Sequence, residues 1–565
     1  MASSSLDRLL HQVEESRIRF GRGEAARVVE LLSALGKRKF SDTASLIRFH
    51  EALLFLRAFP QGPEVARQSE RLLRGFSKRV EQLEKAGADM DDFDPLEVSG
   101  IAGTVMQDTL SFDVVRWLVD RVADVDIVWD DYSEERAMAA VWPQLIPLLE
   151  EDGNVEANIP WQRWLRTAAG SKKRNLQWMV RQFAQLPVTD TEKSLLYDSL
   201  RLPLRWCLDN QRFSRTLNWR PVRRVFFHRE PLITRAEVPL ARELAQAPPV
   251  LRRLSARQGE AVMNMIREVM LVRYRELWGT TLGDPRSVVR ADVGRGVSIY
   301  LWSLCRARRL PLRAYVAGFS LKNGVPINYV EAIGLCEWME VGFNTFYTFR
   351  GGEAAWIYAQ ALRCLVALTR ATCISMYPYQ LGDGNEEAIE SGAFWFYRKL
   401  GFRPGRKDLL KLVEREEQRI ARDPKYRTSP RTLRRLAAGH VFYELPGSEV
   451  GAWDSFSTRK IGMKVNQRMA RKFGGSSERI RGASSNWLAR VLAVQRDSFG
   501  RLERASFENF AMVLALVPDL ASWSQPEKQA LLEIIRAKPA PNETRYLHLT
   551  KKHPRLRKML LRLGA

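Results

Sequence analysis

Between Tyr315 and Phe402 the hydrophobic pattern switches from the period of a strand to that of a helix, and it does so twice. The stretch spells a strand, a glycine loop, a long amphipathic helix, a second strand, a polar turn and a short helix closing on Tyr397-Arg398-Lys399-Leu400-Gly401-Phe402. Parallel strands need a crossover of about a dozen residues or more between them. The order therefore predicts two parallel neighbours with a helix packed on one face. The glycine pair Gly351-Gly352 stands between the first strand and the helix. A loop there aims backbone N–H groups and the positive end of the helix outward, which suits a phosphate.

The residues just upstream extend the sheet. Lys322-Asn323-Gly324 lies between two runs rich in β-branched and aromatic residues, which predicts a tight hairpin. Val341 to Phe349 reads as the next strand, and Cys373 to Tyr379 as the one after the helix. Before the hairpin, Gln258 to Trp278 reads as a helix with Val262, Ile266, Met270 and Tyr274 on one face, and the run 294–305 as a strand or a strand–helix junction. Downstream, Leu409 to Ile420 is a charged helix and His440 to Leu445 a final strand. The fold class expected is α+β or α/β, with a central mixed sheet.

The flanks read differently. Residues 1 to about 245 are helices joined by short polar breaks. Leu46, Phe49, Leu53 and Leu56 share one helical face that Pro60 ends, and Glu24 to Leu35 stops at Gly36. No fixed internal period points to a repeat architecture. Asp89, Asp91, Asp92 and Asp94 invite a calcium-loop reading, but counted from Asp89 the sixth position is Asp94 instead of Gly and the twelfth is Gly100 instead of Glu. A solvated acidic loop is the better reading. Trp161, Trp164 and Trp178 fall among basic residues, where they either stack on bases or face a core. A Pro- and Arg-rich stretch over 205–250 places a domain boundary near 245. From about 446 the chain returns to basic helices, with a capping box at Ser524 to Glu527 and a basic amphipathic tail. Three domains are expected: an all-α 1–245 of unknown role, a central 246–445, and a basic helical 446–565.

Charge is the unusual bulk property. The net charge is +24, and 401–565 carries 34 basic against 16 acidic residues, hence +18 of it. Such a field attracts polyanions, including nucleic acid, without choosing among them. Cys207, Cys305, Cys336, Cys364 and Cys373 show no CxxC pairing, as expected of reduced thiols in the cytoplasm. The first residues lack the basic-then-apolar order of a signal peptide, and no apolar run nears the ~20 residues needed to span a bilayer. A soluble, cytoplasmic protein is expected.

The order helix, hairpin, strand, loop, helix, strand, helix, ending in Phe-Tyr-Arg-Lys-Leu-Gly-Phe, resembles the GNAT superfamily of N-acetyltransferases. The most specific piece is Ala393-x-x-x-Tyr397-Arg398-Lys399-Leu400-Gly401-Phe402, similar to that family's closing motif A-x-x-x-Y-E-K-L-G-F, and Asn385 stands where such proteins often begin this helix region. The resemblance covers roughly a third of the chain. It implies acetyl-CoA, or another acyl-CoA, as co-substrate, with its pyrophosphate on a loop of the form Q/R-x-x-G-x-G/A. The positions that match run from Arg350 to Ala355. Phe349, Arg350, Gly351, Gly352, Ala354, Ala355 and Asn385 are the cofactor-binding residues it implies. The departure is Glu353, where the family has Gly; a carboxylate beside a diphosphate is repulsive unless it points away. The resemblance further implies that the strand from Cys373 splays from its neighbour to admit the pantetheine arm.

Acyl transfer needs a deprotonated amine, a polarised thioester and a proton for the leaving thiolate. Tyr397 occupies the position of the family's usual proton donor, and a phenol of pKa ~10 is a sensible acid for a thiolate; it reads equally as a packed aromatic. Glu331 and Glu337 are the carboxylates available as a general base, directly or through water, and each also reads as a solvated strand residue. His228 and His440 have no partner at a meaningful spacing. No nucleophile–base triad and no metal-ligand cluster is visible, so no metal is expected. Two other functions remain open. One is a related fold taking an aminoacyl group from charged tRNA, and the other a non-catalytic scaffold that binds nucleic acid or a protein through its helical regions.

Overall fold

The computed structural model describes residues 5–122, 124–146, 152, 156, 160–171, 174–208 and 213–565. The first four residues, part of the segment inspected above for a leader, lie outside these. The chain divides into two units: Met1–Val222 with Phe226–Pro231 and Asn264–Leu282, and Arg223–Val225 with Leu232–Met263 and Gly283–Ala565.

In the first unit the predicted helices are present as Glu24–Gly36 and Thr43–Ala58. Asp42 opens the second of these by accepting the Ser45 N–H at 2.7 Å. Leu46, Phe49, Leu53 and Leu56 are fully buried along it. The unit is not all-α. Strands β1 (Val105–Thr109), β2 (Asp126–Ile127) and β3 (Pro203–Cys207) form a small antiparallel sheet in the order β1-β3-β2. These strands have two to five residues, too few for a period to register, and β1 finds its partner almost a hundred residues later. The acidic cluster forms a single helical turn, Met90–Phe93, with Asp89 accepting from the Asp91 N–H. Trp161, Trp164 and Trp178 pack half-buried against the core around Trp142 and Phe183. They are core-facing.

The second unit is built on a nine-stranded mixed sheet. Its strands are β4 (Arg252–Arg253), β5 (Val289–Gly294), β6 (Val297–Ser303), β7 (Ala314–Lys322), β8 (Val325–Leu335), β9 (Trp338–Thr345), β10 (Cys373–Met376), β11 (Arg403–Pro404) and β12 (Val441–Glu444). They lie in the order β11-β12-β10-β9-β8-β7-β6-β5-β4. The run 294–305 resolves into a turn and strand β6. Asn323 and Gly324 both take positive φ, 49° and 82°, and close the β7–β8 hairpin with two residues, as the sequence predicts. Strand β9 ends at Thr345, earlier than expected, because Tyr347–Phe349 tightens into a helical turn.

Among the helices from residue 256 onward are α1 (Ala256–Leu271), α2 (Ala354–Thr369), α3 (Pro378–Leu381), α4 (Glu386–Glu390), α5 (Ala393–Lys399), α6 (Lys407–Arg422), α7 (Thr458–Phe473) and α8 (Pro554–Gly564). Helix α2 is the crossover between β9 and β10, and those two strands are parallel. Their pairing is brief. Only Trp338, Met339 and Glu340 of β9 face Cys373, Ile374 and Ser375 of β10. Strand β10 then ends at Met376 and Pro378 turns the chain away, while β9 continues to Thr345 against β8 alone. About 16 Å of β9 edge, from Val341 to Thr345, is left open on that side. The two strands make a fork.

The basic C-terminal region is not a domain of its own. Trp338, Cys373 and Phe442 of the sheet share one apolar core with Trp453, Phe456, Leu531, Tyr546 and Leu556. The tail is helix α8, seated by buried Leu556, Met559, Leu560 and Leu563. Its charge pattern marks an amphipathic helix but does not show that a sheet supplies the apolar partner. Among the described residues no helix is long and apolar enough to cross a membrane.

Candidate functional site

A cleft of about 750 Å³ opens at the N-terminus of α2. Its walls come from α2 (Ala354, Ala355), the turn before it (Arg350, Gly352), α5 (Trp395, Phe396, Lys399), residues Ile233 to Arg235, and the turn after α6 (Pro424 to Thr428). Among the described residues that line it are four cations, Arg235, Arg350, Lys399 and Arg427, and no carboxylate. Burial, and then the charges of Arg235 and Arg427, pull Lys399 below the usual lysine range. Arg427 is held in place by donating to the carbonyls of Pro424 and Tyr426, both at 2.9 Å. Trp395 donates to the Thr428 hydroxyl at 3.1 Å, and Tyr426 to Glu416 at 2.8 Å, which fixes two aromatic walls.

The N-terminus of α2 has no side-chain cap. The first N–H groups of a helix lack partners within it and carry partial positive charge. Those of Ala354 and Ala355 stand at residues that line the cleft. Gly352 is different: its N–H bonds to Phe349 O at 2.9 Å inside the turn, so its amide is already used within the loop. Gly351 is exposed and Phe349 is buried beneath the turn.

Glu353, the residue that departs from the phosphate-loop pattern, points away. Its side chain is fully buried and pairs with Lys322 Nζ at 3.2 Å and with the Arg295 guanidinium, and it accepts from the Ile233 N–H at 3.3 Å. Burial pulls the Lys322 ammonium down to about 8. The negative charge is thus neutralised behind the loop. Arg350 lines the cleft, but it also pairs with Glu387 of α4 and lies 3.8 Å from the centre of the Tyr347 ring. Asn385 caps α4, accepting the Ala388 N–H at 3.2 Å and donating to Tyr379 O at 3.1 Å. It shapes the turn beside the cleft and does not line it.

Two tyrosines occupy the α2 side of the fork. Tyr358 sets its ring against Phe343 of β9, 4.8 Å between centroids, and its hydroxyl 3.3 Å from Met376 Sδ of β10. It touches both prongs. Tyr397 lies behind it, with ring centroids 5.8 Å apart, and burial pushes its phenol well up, so it carries its proton at neutral pH.

The opposite face of the sheet carries the carboxylates. Glu331 of β8 stands across from Gly342 of β9, on the open prong, and accepts from the Tyr315 hydroxyl. Glu337 is elsewhere. It precedes β9 and therefore sits at the far end of that strand from the loop, about 25 Å along the chain path. There it binds Trp453 Nε1 at 2.8 Å and Arg557 of α8 at 2.6 Å, a structural pair that ties the last helix to the sheet. His440 has a partner after all: its Nε2 lies 3.0 Å from Glu340 Oε2. A hundred residues separate the two in sequence, so no spacing rule finds them. Glu340, Arg235 and Arg427 are the functional candidates that sequence reasoning missed, and Lys399 lies inside the closing motif, which by itself assigns it no role.

Among the described residues no group of His, Cys, Asp and Glu side chains is arranged to hold a metal. No protein-family model, no curated protein and no solved structure matches this chain.

Proposed function

We propose that this protein transfers an acyl group from an acyl-CoA to an amine. The observation that carries the reading is the cationic cleft at the uncapped end of α2, whose wall residue Phe396 lies 6.1 Å, ring to ring, from Tyr358 at the fork between β9 and β10. A diphosphate suits the first: guanidiniums, an ammonium and a helix's positive end favour negative charge. The aromatic walls Trp395 and Tyr426 offer faces on which a nucleotide base stacks. A thin arm suits the second, because beyond Glu340 that edge of β9 has no strand beside it. The withdrawal of Glu353 removes the one sequence objection to a phosphate there. The resemblance to the GNAT superfamily supplies the reaction class, and Tyr397 is the group proposed to protonate the leaving thiolate.

The test is direct. Acetyl-CoA at about a hundred times its Kd stabilises a specific binder by about 2.7 kcal/mol, and the reaction frees one thiol for each amine acylated. A full chain that neither melts higher with acetyl-CoA nor releases CoA thiol in the presence of amines refutes the reading.

A second donor, charged tRNA, is favoured by helix α7. It carries Arg459, Lys460, Lys464, Arg468, Arg471 and Lys472 with no acidic residue between Thr458 and Phe473, and among the described residues none of the six has a carboxylate within 4.0 Å. Nucleic-acid affinity that falls steeply with salt distinguishes this donor from acyl-CoA.

A further inference from the structure

We infer that Glu340 and His440 form the proton-accepting pair for the acceptor amine, on the face of the sheet opposite α2. This rests on the acyl-transfer reading and assigns its missing base.

Strand β10 lies between β9 and β12 in the sheet, so a 3.0 Å contact between Glu340 of β9 and His440, just ahead of β12, spans β10. It crosses beside Ser375, the residue opposite Glu340 in the last β9–β10 pair. That side chain is small and is held down, accepting from Trp338 Nε1 at 2.8 Å. The pair thus stands at the crotch of the fork, where the arm of a donor would bring its thioester. Glu340 is nearly buried, with 15% of its side chain exposed, while His440 reaches solvent with 29%. The arrangement is that of an oriented base: an inner carboxylate holding an outer imidazole.

The chemistry follows from which nitrogen is bound. With Nε2–H donating to Glu340 Oε2, the neutral ring keeps its lone pair on Nδ1. Nδ1 takes a proton from the acceptor ammonium. The freed amine nitrogen then bonds to the thioester carbonyl carbon, the C–S bond breaks, and the thiolate takes its proton from the phenol on the other side of the fork. The extra proton left on the new amide nitrogen returns to that phenolate, so that the net proton released is the one held by Nδ1. Glu340 acts as the positioning residue and offsets the imidazolium charge as it forms. The charged and titratable groups that face the pair are Arg313, 3.5 Å from Glu340 Oε1, and Tyr377, whose ring lies 5.4 Å from the imidazole and whose hydroxyl accepts from Arg459 of α7 at 3.1 Å.

The test compares two acceptors on the full chain with acetyl-CoA as donor. A primary alkylamine must lose a proton before it attacks; hydroxylamine is already neutral near pH 7. His440→Ala is expected to slow turnover of the alkylamine about 100-fold and to leave that of hydroxylamine within about threefold. The acetyl-CoA-dependent melting shift is expected to be unchanged. Glu340→Gln is expected to show the same selective loss, weaker, with added imidazole restoring part of the His440→Ala rate. Equal losses for both nucleophiles, or no loss for either, overturn the assignment. So does a wild-type chain that binds acetyl-CoA and acylates neither. A wild-type chain without any acetyl-CoA shift refutes the donor reading instead.

Discussion

Glu353 and Lys322 meet 3.2 Å apart with both side chains wholly out of water, directly behind the loop that faces the cleft. The pair joins the β7–β8 hairpin turn to the N-cap position of α2, so it sets where the helix begins. Removing one partner of a buried pair leaves the other charge uncompensated and costs about 3–5 kcal/mol. Glu353→Leu and Lys322→Met are each expected to lose about that much, read as a lower denaturant midpoint. The double variant K322M/E353L is expected to recover most of it, since Arg295, about a quarter exposed, can turn to water. Losses that simply add in the double variant would show the two do not act as a pair.

The same pair makes a pH prediction. Burial lowers Lys322 from 10.5 to about 8 in the folded chain. Between those values the unfolded chain holds the extra proton, so stability contributed by this site rises as pH climbs from about 8 to about 10.5. Below 8 the ammonium is charged in both states and the contribution is constant. The difference in unfolding free energy between wild type and Lys322→Met should therefore move in the wild type's favour across that window. A difference that stays flat from pH 7 to 10.5 removes Lys322 as the titrating group.

What the sequence made legible was local. The Asn323-Gly324 turn, the crossover α2 and the helix caps are each fixed by residues within one or two turns of chain. The cleft was half-visible for the same reason: Arg350 to Ala355 are contiguous, while Arg235 and Arg427 arrive from 115 residues before and 77 after Arg350. Glu353 looked like an objection because its neighbours in sequence do not include Lys322 or Arg295; folding supplies them. The domain boundary at 446 failed on the same ground. Basic amphipathic helices look self-sufficient until the sheet's other face proves to be their apolar partner.

Arg350 is contested between the cleft and Glu387. Because Glu387 competes for the guanidinium, Glu387→Gln is expected to lower the KM for acetyl-CoA severalfold, and Arg350→Ala to raise it. Lys399→Ala and Arg427→Ala, which have no carboxylate within 4.0 Å among the described residues, are expected to raise it more, about tenfold or above, at the 1.5–3 kcal/mol of a charge-assisted contact. Steady-state kinetics over a range of salt concentrations checks the ranking. Equal KM values for Lys399→Ala and wild type would mean the anion does not sit in this cleft.

The two tyrosines of the fork separate packing from proton donation. Both are buried, and burial raises both phenols, so either keeps its proton at neutral pH. Tyr358 already has a use for its hydroxyl, set on Met376 Sδ, whereas Tyr397 stands at the position the motif marks. Tyr397→Phe keeps the ring that packs on Tyr358 and Phe402 and removes only the acid. It is expected to lower kcat about 100-fold, the scale of a lost general acid, with the KM for acetyl-CoA unmoved. Tyr358→Phe is expected to stay within about threefold of wild type. A leaving thiol that needs no proton, such as an acyl-thiophenol linked in place of CoA's arm, should rescue Tyr397→Phe and leave the other variant unchanged. If Tyr358→Phe shows the large loss instead, the acid is the residue that touches both strands, and Tyr397 serves as the wall that holds it there.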